Sequence, residues 1–154
     1  MVINELVRAP RELLKSPGFL LKRLGTLVKD KTVESYDGAG RTPYSYGVLA
    51  VLDEGASETQ ATIADALCYD RSYLVGVLDE LEEAGLIERR RDPADRRRHV
   101  VTMTPAGKKE LAKLRAVHKG IDDEFFFMLT PSELTTLEEL LAKVIAAQDP
   151  RFSA

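Results

Sequence analysis

Six arginines are the residues of this sequence whose type and spacing most clearly predict a binding chemistry. They stand in the ten-residue run RRRDPADRRR at positions 89–98, together with Asp92 and Asp95. The run carries a net charge of +4 in a chain with a formal net charge of −3, so the other 144 residues carry −7. Because the arginine side chain matches the oxygens of phosphate groups, a positive segment in an acidic chain indicates a surface that meets a polyanion.

Short β-prone segments on both sides of the run predict how the arginines are presented. Leu86 and Ile87 precede the run, and the residues HVVTMT at 99–104 follow it. Asp92 and Pro93 suit the first two positions of a type I turn, since the fixed φ of proline fits the second position. We therefore expect a β-hairpin with an arginine tip rather than a run of solvated charge. Arginines before the turn, at 89–91, could pair with the aspartates instead of with phosphate.

Other residues that could ligate a metal or act in catalysis are few. His99 and His118 lie nineteen positions apart, and Cys68 is the single cysteine. This spacing matches no metal site, and we find no nucleophile motif, glycine-rich phosphate loop or general-base constellation. We therefore predict no enzyme activity, no metal and no cofactor. Cys68 is expected to be a small buried packing residue.

The cysteine content and the hydropathy pattern also bear on where the protein works. One cysteine excludes an internal disulfide framework and fits a reducing compartment. No apolar run approaches the length that crosses a bilayer, and residues 1–16 lack the apolar core of a secretory signal. We expect a cytoplasmic protein that does not enter membranes.

Cap residues followed by proline predict a mainly helical fold around the hairpin. Such pairs start four predicted helices, and single cap residues start two more. The pairs are Ser16-Pro17, Thr42-Pro43, Thr104-Pro105 and Thr130-Pro131, and the single caps are Thr59 and Asp70. At 154 residues one domain is expected. The predicted class is mainly α with a small β-hairpin wing (α+β).

Two short helices joined by a tight turn and followed by a basic hairpin form a winged helix-turn-helix. The run TQATIADALCYDRSYLVGVLDELEEAGLIERRRDPADRRRHVVTMTPAG at 59–107 resembles the DNA-binding core of the MarR family of bacterial transcription regulators. Its most specific part, DPADRRRHVVTMTPAG, is similar to the wing signature of that family. The resemblance implies a single domain over 1–154, with a winged DNA-binding lobe at 43–104 and dimerisation helices at 1–37 and 105–148.

The resemblance also implies which residues contact DNA. These lie at the start of the bracing helix, on the exposed face of the recognition helix and at the wing tip: Thr59, Gln60, Thr62, Arg71, Ser72, Tyr73, Gly76, Asp95, Arg96, Arg97 and Arg98. Asp95 would fix the geometry of the wing, and the arginines at the wing tip would contact phosphate. Gly76 departs from the family pattern, which often has arginine or another polar residue there. Its absent side chain would shift base recognition to Arg71 and Tyr73.

The terminal helices predict a homodimer. Their apolar faces, including residues 125–129 and the leucine stripe at 134–145, exceed what one small core can cover. Packing within the monomer is the alternative, but burial against a second copy is favoured, and the resemblance implies a two-fold symmetric dimer. Two recognition helices related in this way predict an inverted-repeat site in duplex DNA, with half-site centres about 34–36 Å apart.

MarR-like regulators typically release DNA when a small aromatic or phenolic ligand binds, which makes such an effector an expectation here. Tyr36, Arg41, Tyr44 and Tyr46 cluster near the junction of the first two helices and could supply stacking surfaces, hydroxyls and a cation. Simple packing of the tyrosines between helices is the favoured interpretation for any one of them.

The predicted function is thus a sequence-specific DNA-binding transcription regulator, most simply a repressor that occupies a promoter. The alternative is a winged-helix protein-interaction module without specific DNA binding. Gly76 supports that alternative, and the arginine-rich wing argues against it. The operator, the regulated genes and the sign of regulation do not follow from the sequence.

Overall fold

The structure is a computed structural model that describes residues 8–55 and 58–153. Its helices are α1 (Arg11–Leu14), α2 (Pro17–Gly38), α3 (Pro43–Gly55), α4 (Gln60–Leu67), α5 (Arg71–Glu83), α6 (Pro105–Phe125) and α7 (Pro131–Gln148), followed by a 3₁₀ turn (Pro150–Phe152). Its strands are β1 (Glu58–Thr59), β2 (Ile87–Arg91) and β3 (His99–Met103). The predicted mainly α class with a small β wing is therefore confirmed. Residues 1–7 of the predicted N-terminal helical segment lie outside the described residues.

The helix starts coincide with the predicted cap residues. The Ser16 hydroxyl accepts a hydrogen bond from the backbone N–H of Phe19 at 3.3 Å, and Thr104 accepts one from Gly107 at 3.0 Å. Thr130 forms a reciprocal capping box with Glu133 at the start of α7. Each cap satisfies a backbone N–H that has no acceptor within the helix. The sequence therefore specifies the start of these helices locally.

The wing is an antiparallel hairpin with a third strand at its edge. Strand β2 pairs with β3 from Ile87 opposite Met103 to Arg91 opposite His99. Strand β1 pairs with the other edge of β3, which gives the order β1-β3-β2. The predicted hairpin is confirmed. Strand β1 has only two residues, so it carries no alternating pattern from which it could be predicted.

The tight turn of the wing differs from the prediction at Asp92-Pro93. The backbone N–H of Arg98 donates to the carbonyl of Asp95 at 2.9 Å, which places the hydrogen-bonded turn at 95–98. The N–H of Asp92 pairs with the carbonyl of Arg98 at 2.9 Å and closes the loop. The Asp92 side chain accepts from the N–H of Ala94 at 2.8 Å, so the aspartate stabilises a local bend rather than a β-turn.

The hydrophobic core lies under the helix-turn-helix and includes the inner face of α5. Leu74, Val77, Leu78 and Leu81 are all buried, as the helical spacing predicted. They pack with buried residues of α3, α4, the sheet and α6. Burial of each such side chain contributes about 1.5–3 kcal/mol. This packing fixes the angle at which the outer face of α5 is presented.

Helix α6 is joined to the winged lobe by a close contact at Gly107. A β-carbon at this position would lie 2.1 Å from the carbonyl oxygen of Leu86, so only glycine fits. The hydroxyl of Thr104 donates to the carbonyl of Gly85 at 2.7 Å beside it. The turn before the wing and the start of α6 are therefore held together by backbone contact.

Cys68 lies in the turn between α4 and α5 and is exposed, so the prediction of a buried packing residue is wrong. Its φ of +55° places it in the left-handed region, where the chain leaves α4. The side chain projects outward, and its Sγ lies 3.9 Å from Oδ2 of Asp149. The backbone of the turn, rather than the small size of cysteine, decides its exposure.

Candidate nucleic-acid interface

The first turn of α5 presents polar side chains on a rigid support. Asp70 caps the helix, and its carboxylate accepts the backbone N–H groups of Ser72 and Tyr73 at 2.9 and 3.2 Å. The Ser72 hydroxyl also donates to Asp70, and these hydrogen bonds, with that of the hydroxyl the strongest, lower the pKa of the Asp70 carboxyl. Arg71 extends outward, with its Nη2 3.7 Å from Oδ1 of Asp65 and both side chains largely exposed. Arg71, Ser72 and Tyr73 therefore stand together at the exposed start of the recognition helix.

The hydroxyls of Thr59 and Thr62 form the cap of α4. Thr59 Oγ1 accepts the N–H of Thr62 at 3.2 Å, and Thr62 Oγ1 accepts the N–H of Thr59 at 2.9 Å. Thr62 also donates to Oε2 of Glu58 at 2.6 Å. Because the cap uses these hydroxyls, the groups best placed to bind an anion are the N–H groups of Gln60 and Ala61 in the first turn.

Asp95 organises the tip of the wing. Its Oδ1 accepts the backbone N–H of Arg97 at 3.0 Å and the side-chain Nε of Arg97 at 3.2 Å. The backbone N–H, followed by the side chain, lowers the pKa of the Asp95 carboxyl. The Arg97 side chain is nevertheless 91% exposed. Asp95 therefore shapes the turn and leaves the guanidinium of Arg97 at the surface.

The six arginines of the run divide into two groups. Arg89 binds Oδ1 of Asp79 and Oε2 of Glu82, both at 2.6 Å, and it is only 24% exposed. Arg90 pairs with Glu88 on the same strand at 2.5 Å. Of the six arginines in this run, Arg91, Arg96 and Arg98 form no ion pair with the described residues. The positive charge available to a polyanion is thus concentrated toward the wing tip.

The tip of the wing and the start of α4 border one concave surface of about 450 Å³. Its lining includes Gln60 and Ala61 from α4 and Arg97, Arg98 and His99 from the wing. Two arginines therefore line the same cavity as the positive end of the α4 dipole, which favours an anion such as a phosphate group. This arrangement can bind the backbone of a nucleic acid without reference to its sequence.

The four residues considered for an effector site fall into three environments, one of which Tyr36 and Tyr46 share. Tyr36 is buried, with its hydroxyl 3.4 Å from Nδ1 of His118, and burial raises the pKa of its phenol. The Tyr46 ring stacks on His118 with centroids 5.0 Å apart. Arg41 donates through Nε to Oε1 of Glu110 at 2.9 Å. Tyr44 packs against the start of α5. The structure therefore brings Tyr36 and Tyr46 together around a histidine that the sequence did not indicate.

The described part of the chain, residues 8–55 and 58–153, contains neither a membrane-spanning helix nor a metal-binding cluster. No helix there is long and apolar enough to cross a membrane. The same residues contain no group of three or more His, Cys, Asp or Glu side chains that could hold a metal ion.

Known proteins resemble this chain over the residues that form the arginine-rich surface. A model of the MarR family matches residues 42–99, which include α3 to α5 and the hairpin up to the start of β3. A Thauera aromatica protein named as a transcriptional regulatory protein for the hcr operon is 37% identical over 114 residues, which cover 74% of this chain and 68% of that protein. The chain belongs to the MarR family. The resemblance seen in the sequence is therefore confirmed.

Solved structures agree with this assignment. The transcriptional repressor CouR bound to a 23-mer DNA duplex superposes with a TM-score of 0.80 at 29% identity, covering 90% of this chain and 99% of that chain. CouR from Rhodococcus jostii RHA1 bound to p-coumaroyl-CoA gives a TM-score of 0.72 at 29% identity, covering 86% and 93%. This MarR-family chain is a DNA-binding transcription regulator with a winged helix-turn-helix.

Two contacts in the MarR-family interface could not be predicted from the sequence. Arg89 ties the wing to the recognition helix through Asp79 and Glu82, although its neighbours in the run look identical in the sequence. Tyr44 contacts the ring of Tyr73, although the two residues are 29 positions apart. The only available signal was the acidic spacing of Asp79 and Glu82 on one helix face, which is common on exposed helices.

Proposed function

We propose that this protein is a repressor that binds an inverted-repeat operator as a homodimer and leaves it when a small aromatic compound binds. The observation that carries the proposal is the concave surface that Arg97 and Arg98 line together with the first turn of α4. A phosphate there would lie between the wing and α4, the helix that packs against the recognition helix α5. That contact would fix the register of α5 in the neighbouring major groove, where its first turn meets base edges.

Dimerisation is supported by apolar surface that one copy leaves exposed. Among the described residues, α7 has no buried residue, and α2 buries only Tyr36. Leucines of both helices instead line an apolar groove of about 530 Å³, which includes Leu20, Leu24, Leu137 and Leu141. An 18-residue helix gains little stability in water without packing of its apolar face. A second copy that inserts its own terminal helices would bury this surface and complete the fold.

An aromatic effector is supported by the cluster of Tyr36, Tyr46 and His118 between α2, α3 and α6. The cluster combines stacking surface with two groups that form hydrogen bonds. It lies where α6 leaves the DNA-binding lobe for the helices that would form the dimer. A ligand that separates these rings would change the distance between the two recognition helices, and binding energy would be converted into release of DNA.

Fluorescence anisotropy tests the proposal. The purified protein is titrated onto a duplex from upstream of its own coding sequence and onto a scrambled duplex of equal composition. We expect preferential, salt-dependent binding of the first duplex with two protomers per site. Phenolic acids and their coenzyme A thioesters are then added, and a subset should release the DNA. A folded protein that binds neither duplex at low salt would contradict the proposal and favour a protein-interaction module.

A further inference from the structure

Three tyrosines meet at the start of the recognition helix. Tyr44 lies on the first turn of α3, Tyr69 in the turn before α5 and Tyr73 on the first turn of α5. The ring centroid of Tyr44 is 4.9 Å from that of Tyr69 and 4.6 Å from that of Tyr73, with interplanar angles of 67° and 60°. These values are typical of tilted and edge-to-face aromatic pairs. The Tyr44 ring therefore contacts both of the other rings.

Tyr69 anchors this cluster to the backbone of α3. Its hydroxyl approaches Gly47 so closely that a β-carbon there would lie 2.6 Å away. Burial, followed by the neighbouring Tyr44 and Tyr73, raises the pKa of the Tyr69 phenol to about 12, so the group is neutral in the physiological range. Because Tyr69 is held in this way, Tyr44 packs against a fixed surface rather than a mobile side chain.

Tyr44 is also exposed, at 40%, but Tyr73 is the member of the cluster that lies on the recognition helix itself. Tyr73 is 49% exposed and lies two residues after Arg71. A half-exposed aromatic ring on an isolated helix samples several orientations, and the contact with Tyr44 restricts them before DNA binds. Such preorganisation reduces the entropy lost on binding. Gly76, one turn further along α5, has no side chain, which leaves Tyr73 a larger share of base discrimination.

We propose that Tyr44 is a positioning residue for sequence discrimination, which sets the orientation of the Tyr73 ring toward the base pair that Tyr73 contacts. This inference rests on the proposed DNA-binding function. Tyr44 acts through Tyr73 and not through a contact of its own with that base pair. The requirement is an aromatic ring at position 44, since the tilted stacking uses the ring and no hydrogen bond of the Tyr44 hydroxyl to Tyr73 or Tyr69 is present among the described residues.

Selection from randomised DNA tests this without knowledge of the operator. Duplexes with a random 20-base-pair segment are selected with the wild type and with Tyr44→Phe, Tyr44→Ala and Tyr73→Ala. We expect the wild type and Tyr44→Phe to select the same half-site. Tyr44→Ala and Tyr73→Ala should both lose preference at the same base pair of each half-site, by about threefold to tenfold. The salt dependence of binding should not change, because no phosphate contact is removed.

Four results would overturn the inference. In the first, Tyr44→Ala keeps the wild-type preference. In the second, it loses preference at a different base pair, which would indicate a direct contact of Tyr44 with that base pair. Tyr44→Phe could lose as much preference as Tyr44→Ala, which would assign the role to the hydroxyl. All duplexes could be weakened equally, which would indicate a merely structural role. Should Tyr44→Ala fail to fold by circular dichroism, Tyr44→Leu keeps apolar volume without a ring and is expected to give the same loss. A wild type that selects no sequence refutes the DNA-binding function itself.

Discussion

Substitution of individual wing arginines should distinguish those that contact phosphate from Arg89, which holds the wing against α5. The double substitution Arg97→Ala/Arg98→Ala removes two cations beside the first turn of α4. Each phosphate neutralised in B-form DNA contributes about 0.9 to the slope of log K against log salt concentration. Loss of both contacts should therefore make the slope shallower by about 1.8 per protomer, or about 3.6 for a dimer that uses both wings. Stability should change little, because Arg97 has an exposed ion pair and Arg98 has none among the described residues.

Arg89→Ala is the matched control, since it removes the same side chain from the same segment. Arg89 makes charge-assisted hydrogen bonds to Asp79 and Glu82, and the pKa of its guanidinium is raised, chiefly by the hydrogen bond with Glu82. Loss of two partly exposed ion pairs should lower the free energy of unfolding by about 1–2 kcal/mol. For a chain of this size the Tm should fall by about 3–6 °C. The salt slope should stay near that of the wild type.

The assay combines anisotropy titrations at four salt concentrations with thermal unfolding followed by circular dichroism. The two variants should give opposite patterns, one in the salt slope and the other in the Tm. A reduction of the slope by Arg89→Ala as large as that of the double substitution, with an unchanged Tm, would contradict these roles. In that case Arg89 would exchange its carboxylate partners for phosphate when DNA binds.

Three further outcomes follow from the structure. Gly76→Ala should raise the free energy of unfolding by about 0.5–1 kcal/mol, because a β-carbon there meets nothing within 4 Å and alanine favours helix. Weaker DNA binding by this variant would show that the backbone at Gly76 approaches DNA. Gly107→Ala should lower the free energy of unfolding by about 1–3 kcal/mol, because its β-carbon would overlap the carbonyl of Leu86, and a wild-type urea midpoint would contradict that packing. The hydrogen bonds with Arg89 hold the pKa of Glu82 below its usual value, so Glu82 stabilises the fold above the ordinary glutamate pKa and this contribution is lost as the pH falls through the lower value. Urea unfolding of wild type and Glu82→Gln should therefore differ at pH 7, and the difference should shrink as the pH falls below the ordinary glutamate pKa, whereas a pH-independent difference would rule out this role.

Helix boundaries could be predicted because the signals that set them are local. Ser16, Thr59, Asp70 and Thr104 accept the backbone hydrogen bonds that their types and positions indicated. The family resemblance was equally accessible, since it rests on contiguous residues of the wing. Local chemistry therefore determined the fold class and the position of the wing.

Features that depend on contacts between distant segments could not be predicted. Arg89 and Arg97 are arginines of the same run and look alike in the sequence. Arg89 has two carboxylate partners because α5 lies beside it in the fold. Tyr44 and Tyr46 are two positions apart but lie on different faces of α3, so one contacts α5 and the other contacts His118 of α6. The exposure of Cys68 follows from a left-handed backbone conformation that its residue type does not favour.

Two copies of the winged lobe are expected to bind one inverted repeat, and hydroxyl-radical footprinting of the selected duplex measures this arrangement. We expect two protected segments on each strand, related by two-fold symmetry, with half-site centres about 10–10.5 base pairs apart. Arg97→Ala/Arg98→Ala should weaken protection at the outer flanks, where the wings would lie. A single asymmetric protected segment, or uniform protection along the duplex, would contradict binding of a two-fold symmetric dimer to an inverted repeat.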